Sequence, residues 1–340
     1  KIIILQYYML HIKLMKFSFI LCTRNSKRVL VEVVESIANQ KIDLKFIDII
    51  LADYNSTDQT VEIVKKITSK YNIKFNHIQC DLPGKTPALE IALDSATGDY
   101  AVIVDDDNIL DQNYIKEAKK ILVEPNWGCV GSFGIIDSNL TLPSWFNEFK
   151  EHYAIGVPLK ANDWVWGASS IINTMVWKKL RKYGYKIELN PKRANHTDPI
   201  YVGGEDTELS LAIFMLGYKV KFIQQIKFIH KFDQSRLNKS YFLENVRGFS
   251  RSIPVIQLYR LIIYRPNIYF PKTIWTLYLL KIFLSNFIKS LIHVFTIDIF
   301  KARYNYITML GIISSFIVVR KNFYQVYNRL IKIKKEALKN

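Results

Sequence analysis

Four short strands, with helices between them, are predicted by the pattern of apolar and polar positions over the first hundred residues. The predicted strands are Phe17–Cys22, Phe46–Ala52, Ile73–Ile78 and a run that ends at Asp105. The core of this last run, Tyr100–Val104, lacks polar alternation and is rich in Val and Ile, which is typical of a strand buried in a parallel sheet. The repetition of strand and helix at short spacing therefore predicts an α/β fold, with a mostly parallel, Rossmann-like sheet and helices on both faces.

The next part of the pattern predicts a longer strand, a helix and two further strands. Trp127–Ile136 is the longer strand, and the pair Gly203 and Gly204 opens the helix. The last two strands are expected to lead to His230 and cover Tyr218–Ile223 and Ile226–Ile229.

From Ile274 onward the chain becomes strongly apolar, but charged residues interrupt it. The segment Ile274–Phe300 contains Lys281 and Lys289, and Asn305–Val319 offers about fifteen mostly apolar residues, short of the ~20 that span a bilayer. The tail beyond is basic and helical in pattern. We expect a C-terminal amphipathic helical appendage in the membrane surface, with one or two tilted insertions as the alternative.

The charge distribution supports an anionic partner for this appendage. The net charge is +17, and residues 251–340 contain fifteen Lys and Arg against Asp298 and Glu336. Basic residues attract both nucleic acid and the anionic leaflet of a membrane. Because the basic residues here alternate with long apolar stretches, the pattern favours lipid, and no nucleic-acid partner is expected.

Cysteine usage and the N-terminal segment bear on the compartment. The three cysteines are odd in number and widely spaced, which argues against a disulfide framework and fits a reducing compartment. The apolar segment Lys1–Leu14 is short and lacks a small-residue cleavage site. Residues 1–15 are therefore expected to be an N-terminal extension with Met15 as the functional start, and a short interfacial anchor is the alternative.

The first candidate for chemistry is Asp105-Asp106-Asp107, directly after the fourth predicted strand. Open α/β folds bind ligands at the carboxyl edge of the sheet. Three adjacent carboxylates repel one another unless a cation lies between them, and Mg²⁺ or Mn²⁺ with an anionic substrate suits oxygen ligands. The alternative is a solvated acidic turn that caps the next helix.

Other polar residues follow neighbouring strands and should reach the same edge. Asp53 ends the second strand, where a carboxylate can accept an N–H of a base. Asp58 is expected to cap the helix that follows it. Lys85, in a predicted loop after Pro83-Gly84, can meet a phosphate as a point charge, or it is merely solvated.

A second acidic pair, Glu205-Asp206, opens the helix after the two glycines. Carboxylates in the first turn of a helix can simply complement its dipole. A positioned carboxylate can also act as a general base on a hydroxyl, which is a poor nucleophile at neutral pH. We favour the catalytic interpretation because both acidic motifs occur in one chain.

These motifs, in this order, resemble those of family 2 glycosyltransferases with the GT-A fold. The resemblance covers about residues 16–232. It is carried by Thr-x-Asn after the first strand (Thr23, Asn25), Asp-x-Asn-Ser-Thr-Asp after the second (from Asp53), and Asp-Asp-Asp after the fourth. It implies a catalytic domain over 16–250, with a nucleotide-sugar half at about 16–125 and an acceptor half at about 126–250, followed by the basic region 251–340.

The resemblance also implies roles for individual residues. Asp206 would be the general base and Glu205 would orient the acceptor. Asp107 would ligate the divalent cation, joined by His230. The stretch Trp166-Gly167-Ala168 would lie beneath the donor sugar. Contacts to the donor would come from Thr23, Asn25, Asp53, Lys85, Asp105, Asp106 and Arg236.

The expected function is metal-dependent, inverting transfer of one sugar from a nucleotide sugar, with a UDP-sugar favoured, to an acceptor hydroxyl. A single transfer is expected because the Gln-x-x-Arg-Trp motif of processive synthases is missing from the sequence. The expected setting is cell-surface polysaccharide or lipid-linked glycan synthesis, with the enzyme peripheral or monotopic at the cytoplasmic face of the bacterial inner membrane. The alternatives are a nucleotidyltransferase of similar fold and a non-catalytic basic binding module.

Overall fold

The computed structural model describes residues 14–158, 162–189 and 203–339. The predicted extension therefore lies outside the described residues except for its end. Of that end, Leu14 is about half exposed, whereas Met15 is buried in the main core.

One eight-stranded sheet organises the described chain. Its order is β3-β2-β1-β4-β7-β6-β8-β5. The strands are β1 (Phe17–Thr23), β2 (Ile47–Asp53), β3 (Lys74–Gln79), β4 (Tyr100–Val104), β5 (Asn108–Leu110), β6 (Trp127–Ile136), β7 (Ser170–Asn173) and β8 (Lys219–His230).

Parallel pairing joins β3, β2, β1 and β4, as the strand–helix repetition predicted. The other half of the sheet is mixed, because β7 runs antiparallel to both β4 and β6, and β5 runs antiparallel to β8. The pairing of β6 with β8 is parallel. The α/β prediction is confirmed, and the antiparallel insertions are the feature that it lacked.

Helices cover both faces of the sheet and extend beyond it. In chain order they are α1 (Lys27–Ala38), α2 (Thr60–Lys70), α3 (Lys85–Ser95), α4 (Tyr114–Leu122), α5 (Phe146–Phe149), α6 (Thr174–Lys182), α7 (Glu205–Met215), α8 (Lys239–Ser250), α9 (Ile253–Tyr264), α10 (Pro271–Phe295), α11 (Ile299–Lys321) and α12 (Phe323–Leu338).

Three local predictions were wrong. Lys85 is the first residue of α3 and not a loop residue, because Gly84 at φ 106° turns the chain into the helix. Asp58 does not occupy the cap position of α2, which belongs to Gln59, although its carboxylate accepts the N–H of Thr60. The two short strands before His230 are one strand, β8, whose pairing with β6 shifts register where the prediction had a break.

The C-terminal region differs from the prediction in helix length. α10 has 25 residues and α11 has 23, and both are long and apolar enough to cross a membrane by length and composition. The apolar stretch Asn305–Val319 is shorter than α11, because the helix continues through polar residues at both ends. The predicted boundary near residue 250, between the catalytic domain and the basic region, stays a prediction. One buried hydrophobic cluster includes Phe19 of β1 together with Trp275 of α10 and Leu330 of α12.

Candidate active site

A cavity of about 810 Å³ opens at the carboxyl ends of β1 and β4. The start of α7 and residues of α8, α9 and α11 also line it. Every predicted site residue lines it except Asn25 and Asp53. The sheet thus brings together both acidic motifs, which are about one hundred residues apart in the sequence.

Lys85 connects the two acidic motifs inside this cavity. Its Nζ lies 2.6 Å from Asp105 Oδ1 and 3.7 Å from Glu205 Oε1. Burial alone would lower the pKa of Lys85, but the carboxylates of Asp105 and Glu205 outweigh burial and raise this pKa. The ammonium is therefore held charged between the edge of the sheet and the start of α7.

Asp107 forms a second charged group with His230 and Arg236. Its Oδ2 accepts a hydrogen bond from Arg236 Nη1 at 2.9 Å, and its Oδ1 lies 3.4 Å from His230 Nε2. The antiparallel pairing of β5 with β8 creates this contact, because Asn108 is paired with His230. Burial would raise the pKa of Asp107, but His230 and Arg236 lower it well below its usual range, so the carboxylate is ionised.

The donor set at Asp107 fits a divalent cation that takes most of its ligands from substrate and water. His230 Nδ1 lies 2.7 Å from the carbonyl oxygen of Tyr153, and a hydrogen bond there leaves Nε2 facing Asp107. An imidazole nitrogen and a carboxylate oxygen suit Mn²⁺ or Mg²⁺. Across the described residues, no group of three or more His, Cys, Asp or Glu side chains could by itself hold a metal ion.

Glu205 and Asp206, at the start of α7, have different partners: Lys85 lies near Glu205, whereas backbone N–H groups bind Asp206. Asp206 Oδ2 accepts the N–H of Gly167 at 2.7 Å, and Oδ1 accepts the N–H of Thr207 at 2.6 Å. Burial raises the pKa of Asp206 against these hydrogen bonds, and it raises the pKa of Glu205 to about 7 against the attraction of Lys85. Burial thus makes both carboxylates stronger bases than exposed ones, which suits general-base catalysis on a hydroxyl.

Gly167 allows this loop to approach Asp206 closely. A Cβ at Gly167 would lie 3.2 Å from the Cβ of Asp206 and 3.7 Å from Lys85 Nζ. Its neighbour Trp166 is buried, donates from Nε1 to the carbonyl oxygen of Ser132 at 3.3 Å, and packs on Phe222. The backbone N–H of Gly167 thus lies directly against the Asp206 carboxylate, and Trp166 lines the cavity next to it.

The remaining predicted donor contacts divide into two groups. Thr23 lines the cavity, and its buried Oγ1 has no hydrogen-bond partner in the described part of the chain, so it is available to a ligand. Asp106 also lines the cavity, and its carboxylate accepts from the Ser26 hydroxyl. Asn25 and Asp53 are instead engaged with the 55–58 turn. Asn25 accepts the N–H of Thr57 at 2.8 Å, and Asp53 accepts the N–H of Ser56 at 3.0 Å.

The wall contributed by the C-terminal helices was missed by sequence reasoning. Tyr304 of α11 and Arg260 of α9 line the same cavity as the acidic motifs. His152 also lines it, lies 3.3 Å from the Tyr304 hydroxyl, and has its pKa lowered to about 4 by burial. The sequence signal for Arg260 and Tyr304 was weak, because each occurs singly within a helical pattern that resembles ordinary core.

Comparison with known proteins supports the architecture. Residues 18–183 match the sequence model of glycosyl transferase family 2. Mannosyltransferase PcManGT from Pyrobaculum calidifontis, in complex with GDP-Man and Mn²⁺, aligns over 98% of this chain and 92% of its own, at a TM-score of 0.54 and 15% identity. This likeness shows a shared GT-A fold.

A curated relative matches a shorter part of the chain. Poly(ribitol-phosphate) beta-N-acetylglucosaminyltransferase TarS from Staphylococcus aureus is 32% identical over 111 residues, which is 33% of this chain. The chain therefore spans about a fifth (19%) of the length of that relative. The structure of S. aureus TarS 1-349 aligns over 92% of both chains at a TM-score of 0.49 and 16% identity.

Proposed function

The chain carries a domain of glycosyl transferase family 2, and from that premise we propose that it transfers one sugar from a nucleotide-sugar donor to an acceptor hydroxyl. The observation that carries this proposal is the Lys85 ammonium, 2.6 Å from Asp105 and 3.7 Å from Glu205. Both acidic motifs thus line one cavity, and the distance between them is no more than about the width of a sugar ring. Transfer requires both substrates to be held there at reacting distance.

The proposed base is Asp206, with Glu205 orienting the acceptor. Asp206 takes the proton of the acceptor hydroxyl while the hydroxyl oxygen forms a bond to the anomeric carbon. The bond from that carbon to the diphosphate oxygen breaks, and the nucleoside diphosphate leaves with the electron pair. One such displacement inverts the anomeric centre. The N–H groups of Gly167 and Thr207 fix the Asp206 carboxylate for this role.

The proposed binding site for the diphosphate lies at Asp107, His230 and Arg236. A divalent cation held by Asp107 and His230 would supply positive charge against the leaving diphosphate. The structural neighbour PcManGT, described in complex with GDP-Man and Mn²⁺, supports this assignment. Arg236, which now pairs with Asp107, is proposed to donate to a diphosphate oxygen, as a guanidinium does well.

The proposed nucleoside site lies at the ends of β1 and β2. Thr23 offers an unpartnered hydroxyl, and Arg24 lies 4.9 Å over the ring of Tyr54, which also lines the cavity. Asp53 is proposed to accept a base N–H after its turn rearranges. A UDP-sugar is favoured, since TarS is named an N-acetylglucosaminyltransferase and the chain is 32% identical to part of it.

The acceptor is proposed to be a cell-surface polymer or a lipid-linked glycan. The relative TarS is named for action on poly(ribitol-phosphate), which supports polysaccharide synthesis of the teichoic-acid type. Such a setting agrees with the expected place of the enzyme, the cytoplasmic face of a bacterial membrane.

We propose that the paired helices α10 and α11 lie in the membrane surface. The apolar window of α10 is only 6% buried within the protein, and Lys281 and Lys289 lie in one shallow groove with Leu284 and Ile288. A lysine at the centre of a spanning helix costs about 2.5–3.5 kcal/mol. In a helix parallel to the surface, the lysine stems reach the headgroups at little cost.

Donor binding by the full chain tests the proposal. Thermal unfolding is measured with UDP-, GDP-, CDP- and dTDP-sugars, each with and without Mn²⁺. We expect one class of nucleotide sugar to raise the Tm, with a larger rise when Mn²⁺ is present, because ligand bound only by the folded state stabilises it. No stabilisation by any nucleotide sugar under either condition would contradict the proposal.

A further inference from the structure

We infer that Arg260 binds a phosphate of the acceptor and so determines which acceptors are used. The inference takes the cavity as the site of transfer, as proposed above, and adds the residue that recognises the acceptor.

One face of α9 lines the cavity next to the start of α7. Ser252, Ile256 and Arg260 are spaced four residues apart and all line the cavity. A Cβ built on Gly204, the residue before the acidic pair, would lie 2.8 Å from Ser252 Oγ and 3.7 Å from Ile256 Cδ1. Arg260 is one turn beyond Ile256, about 6 Å along the helix axis. Arg260 therefore lines the same cavity as the acidic pair, about one helical turn farther along α9 than the residue that approaches Gly204.

A buried carboxylate holds the Arg260 guanidinium from one side. Arg260 Nε lies 3.6 Å from Asp163 Oδ2, and the same oxygen accepts a hydrogen bond from the Tyr264 hydroxyl at 2.9 Å. The Asp163 side chain is 10% exposed, whereas that of Arg260 is 37% exposed. The Asp163 contact is made through Nε, so it leaves the four N–H groups of Nη1 and Nη2 for another partner.

The other lysine and arginine side chains that line the cavity each lie against a residue of the proposed donor site. Lys85 is paired with Asp105, Arg236 is paired with Asp107, and Arg24 lies over Tyr54. Arg260 is instead on the wall that α9 provides, and Trp164 and Gln257 line the same cavity. A permanently charged, planar fork at this place suits the two oxygens of a phosphate, which stays anionic over the whole working pH range.

Binding of small acceptor mimics tests this inference without any turnover. The full chain is saturated with Mn²⁺ and the nucleoside diphosphate that stabilises it most, so that the nucleotide end is occupied. Glycerophosphoglycerol is the phosphodiester probe, a short-chain polyprenyl diphosphate is the lipid probe, and triglycerol is the neutral control. Affinities are compared for the wild type, Arg260→Gln, Arg260→Lys and Arg265→Gln. Arg265 is an exposed arginine at the end of the same helix.

We expect the wild type and Arg265→Gln to bind a phosphate probe about 10- to 100-fold more tightly than triglycerol, as for hydrogen bonds between charged groups. Arg260→Gln should lose most of this preference, and Arg260→Lys should keep part of it. If Arg260→Gln weakens binding of the phosphodiester probe, the recognised phosphate belongs to a polymer acceptor. If it weakens binding of the polyprenyl diphosphate alone, the phosphate belongs to a lipid carrier.

Two results would overturn the inference: a wild type that does not distinguish phosphate from neutral probes, or an Arg260→Gln variant that binds them as the wild type does. Failure of the proposed function is separate, because it would appear as absence of stabilisation by every nucleotide sugar.

Discussion

At the scale of residues, the Lys85 ammonium connects the two acidic motifs of the cavity. Its contacts with Asp105 and Glu205 keep a positive charge beside carboxylates whose burial would otherwise favour protonation. The ionisation of Glu205 and Asp206 therefore depends on Lys85 as well as on burial. This dependence gives the site a measurable pH response.

The pH profile of kcat should have an acidic limb near pH 7, where Glu205 titrates. Activity is full above this pKa and falls as the pH drops through it, because Glu205 must be ionised to orient the acceptor hydroxyl towards the base Asp206. Lys85→Met should move the limb upward by roughly 1–3 pH units, since loss of a nearby cation raises the pKa of a carboxyl. Lys85→Arg keeps the charge and should leave the limb near its original place. An acidic limb at the same pH in Lys85→Met would show that Lys85 does not control the pair.

At the scale of elements, the sequence predicted the parts of the site that follow long, regular segments. The ends of β1, β2 and β4 were predictable because apolar runs and helices alternate locally there. The three-residue β5 and four-residue β7 are too short to show periodicity, and both run antiparallel. They bring His230 to Asp107, and Gly167 to Asp206. These contacts are set by pairing between distant segments, which no local pattern encodes.

The helices α11 and α8 pack closely on each other at Gly311. A Cβ at Gly311 would lie 2.5 Å from the Cβ of Ser250 and 3.0 Å from the carbonyl oxygen of Arg247. In an open helix, Gly→Ala stabilises by about 1 kcal/mol through helix propensity. Here the clash should outweigh this gain.

We therefore expect Gly311→Ala to lower the free energy of unfolding by about 1–3 kcal/mol, the usual cost of overpacking. Denaturant titration of the full chain measures it. Ile317→Leu, at a position on the same helix that is 57% exposed, is the control and should change stability by less than about 0.5 kcal/mol. A stabilised Gly311→Ala protein would show that α11 does not pack closely on α8.

At the scale of the whole molecule, the C-terminal helices both close the cavity and present an apolar surface. The inner side of α11 provides Tyr304 and Thr308 to the cavity. The outer side of α10 exposes Leu284 and Ile288, each about half exposed. Because α10 packs on α11, a membrane on that surface would contact the helix pair whose inner side lines the cavity. Sequence composition predicted the surface from its charge and apolar content, but not its connection with the cavity.

Binding to vesicles that contain phosphatidylglycerol tests this surface. We expect the full chain to bind them and to release as salt is raised, because basic residues near an anionic surface each contribute about 1 kcal/mol. The double variant Leu284→Glu with Ile288→Glu should lose binding. Val29→Glu with Ile91→Glu, at partly exposed apolar positions on α1 and α3, is the matched control and should bind normally. Equal binding by both double variants would contradict a membrane-bound α10.

The division of labour between the two acidic motifs is the central claim, and one paired measurement tests it most directly. Nucleotide-sugar binding and sugar transfer are measured side by side in Asp107→Asn and Asp206→Asn. We predict that Asp107→Asn loses the Mn²⁺-dependent part of donor binding. We predict that Asp206→Asn keeps donor binding and loses transfer by about 10²–10⁴-fold, the usual contribution of a general base. An Asp206→Asn enzyme that transfers sugar at the wild-type rate, or an Asp107→Asn enzyme with unchanged donor binding in Mn²⁺, would contradict the account.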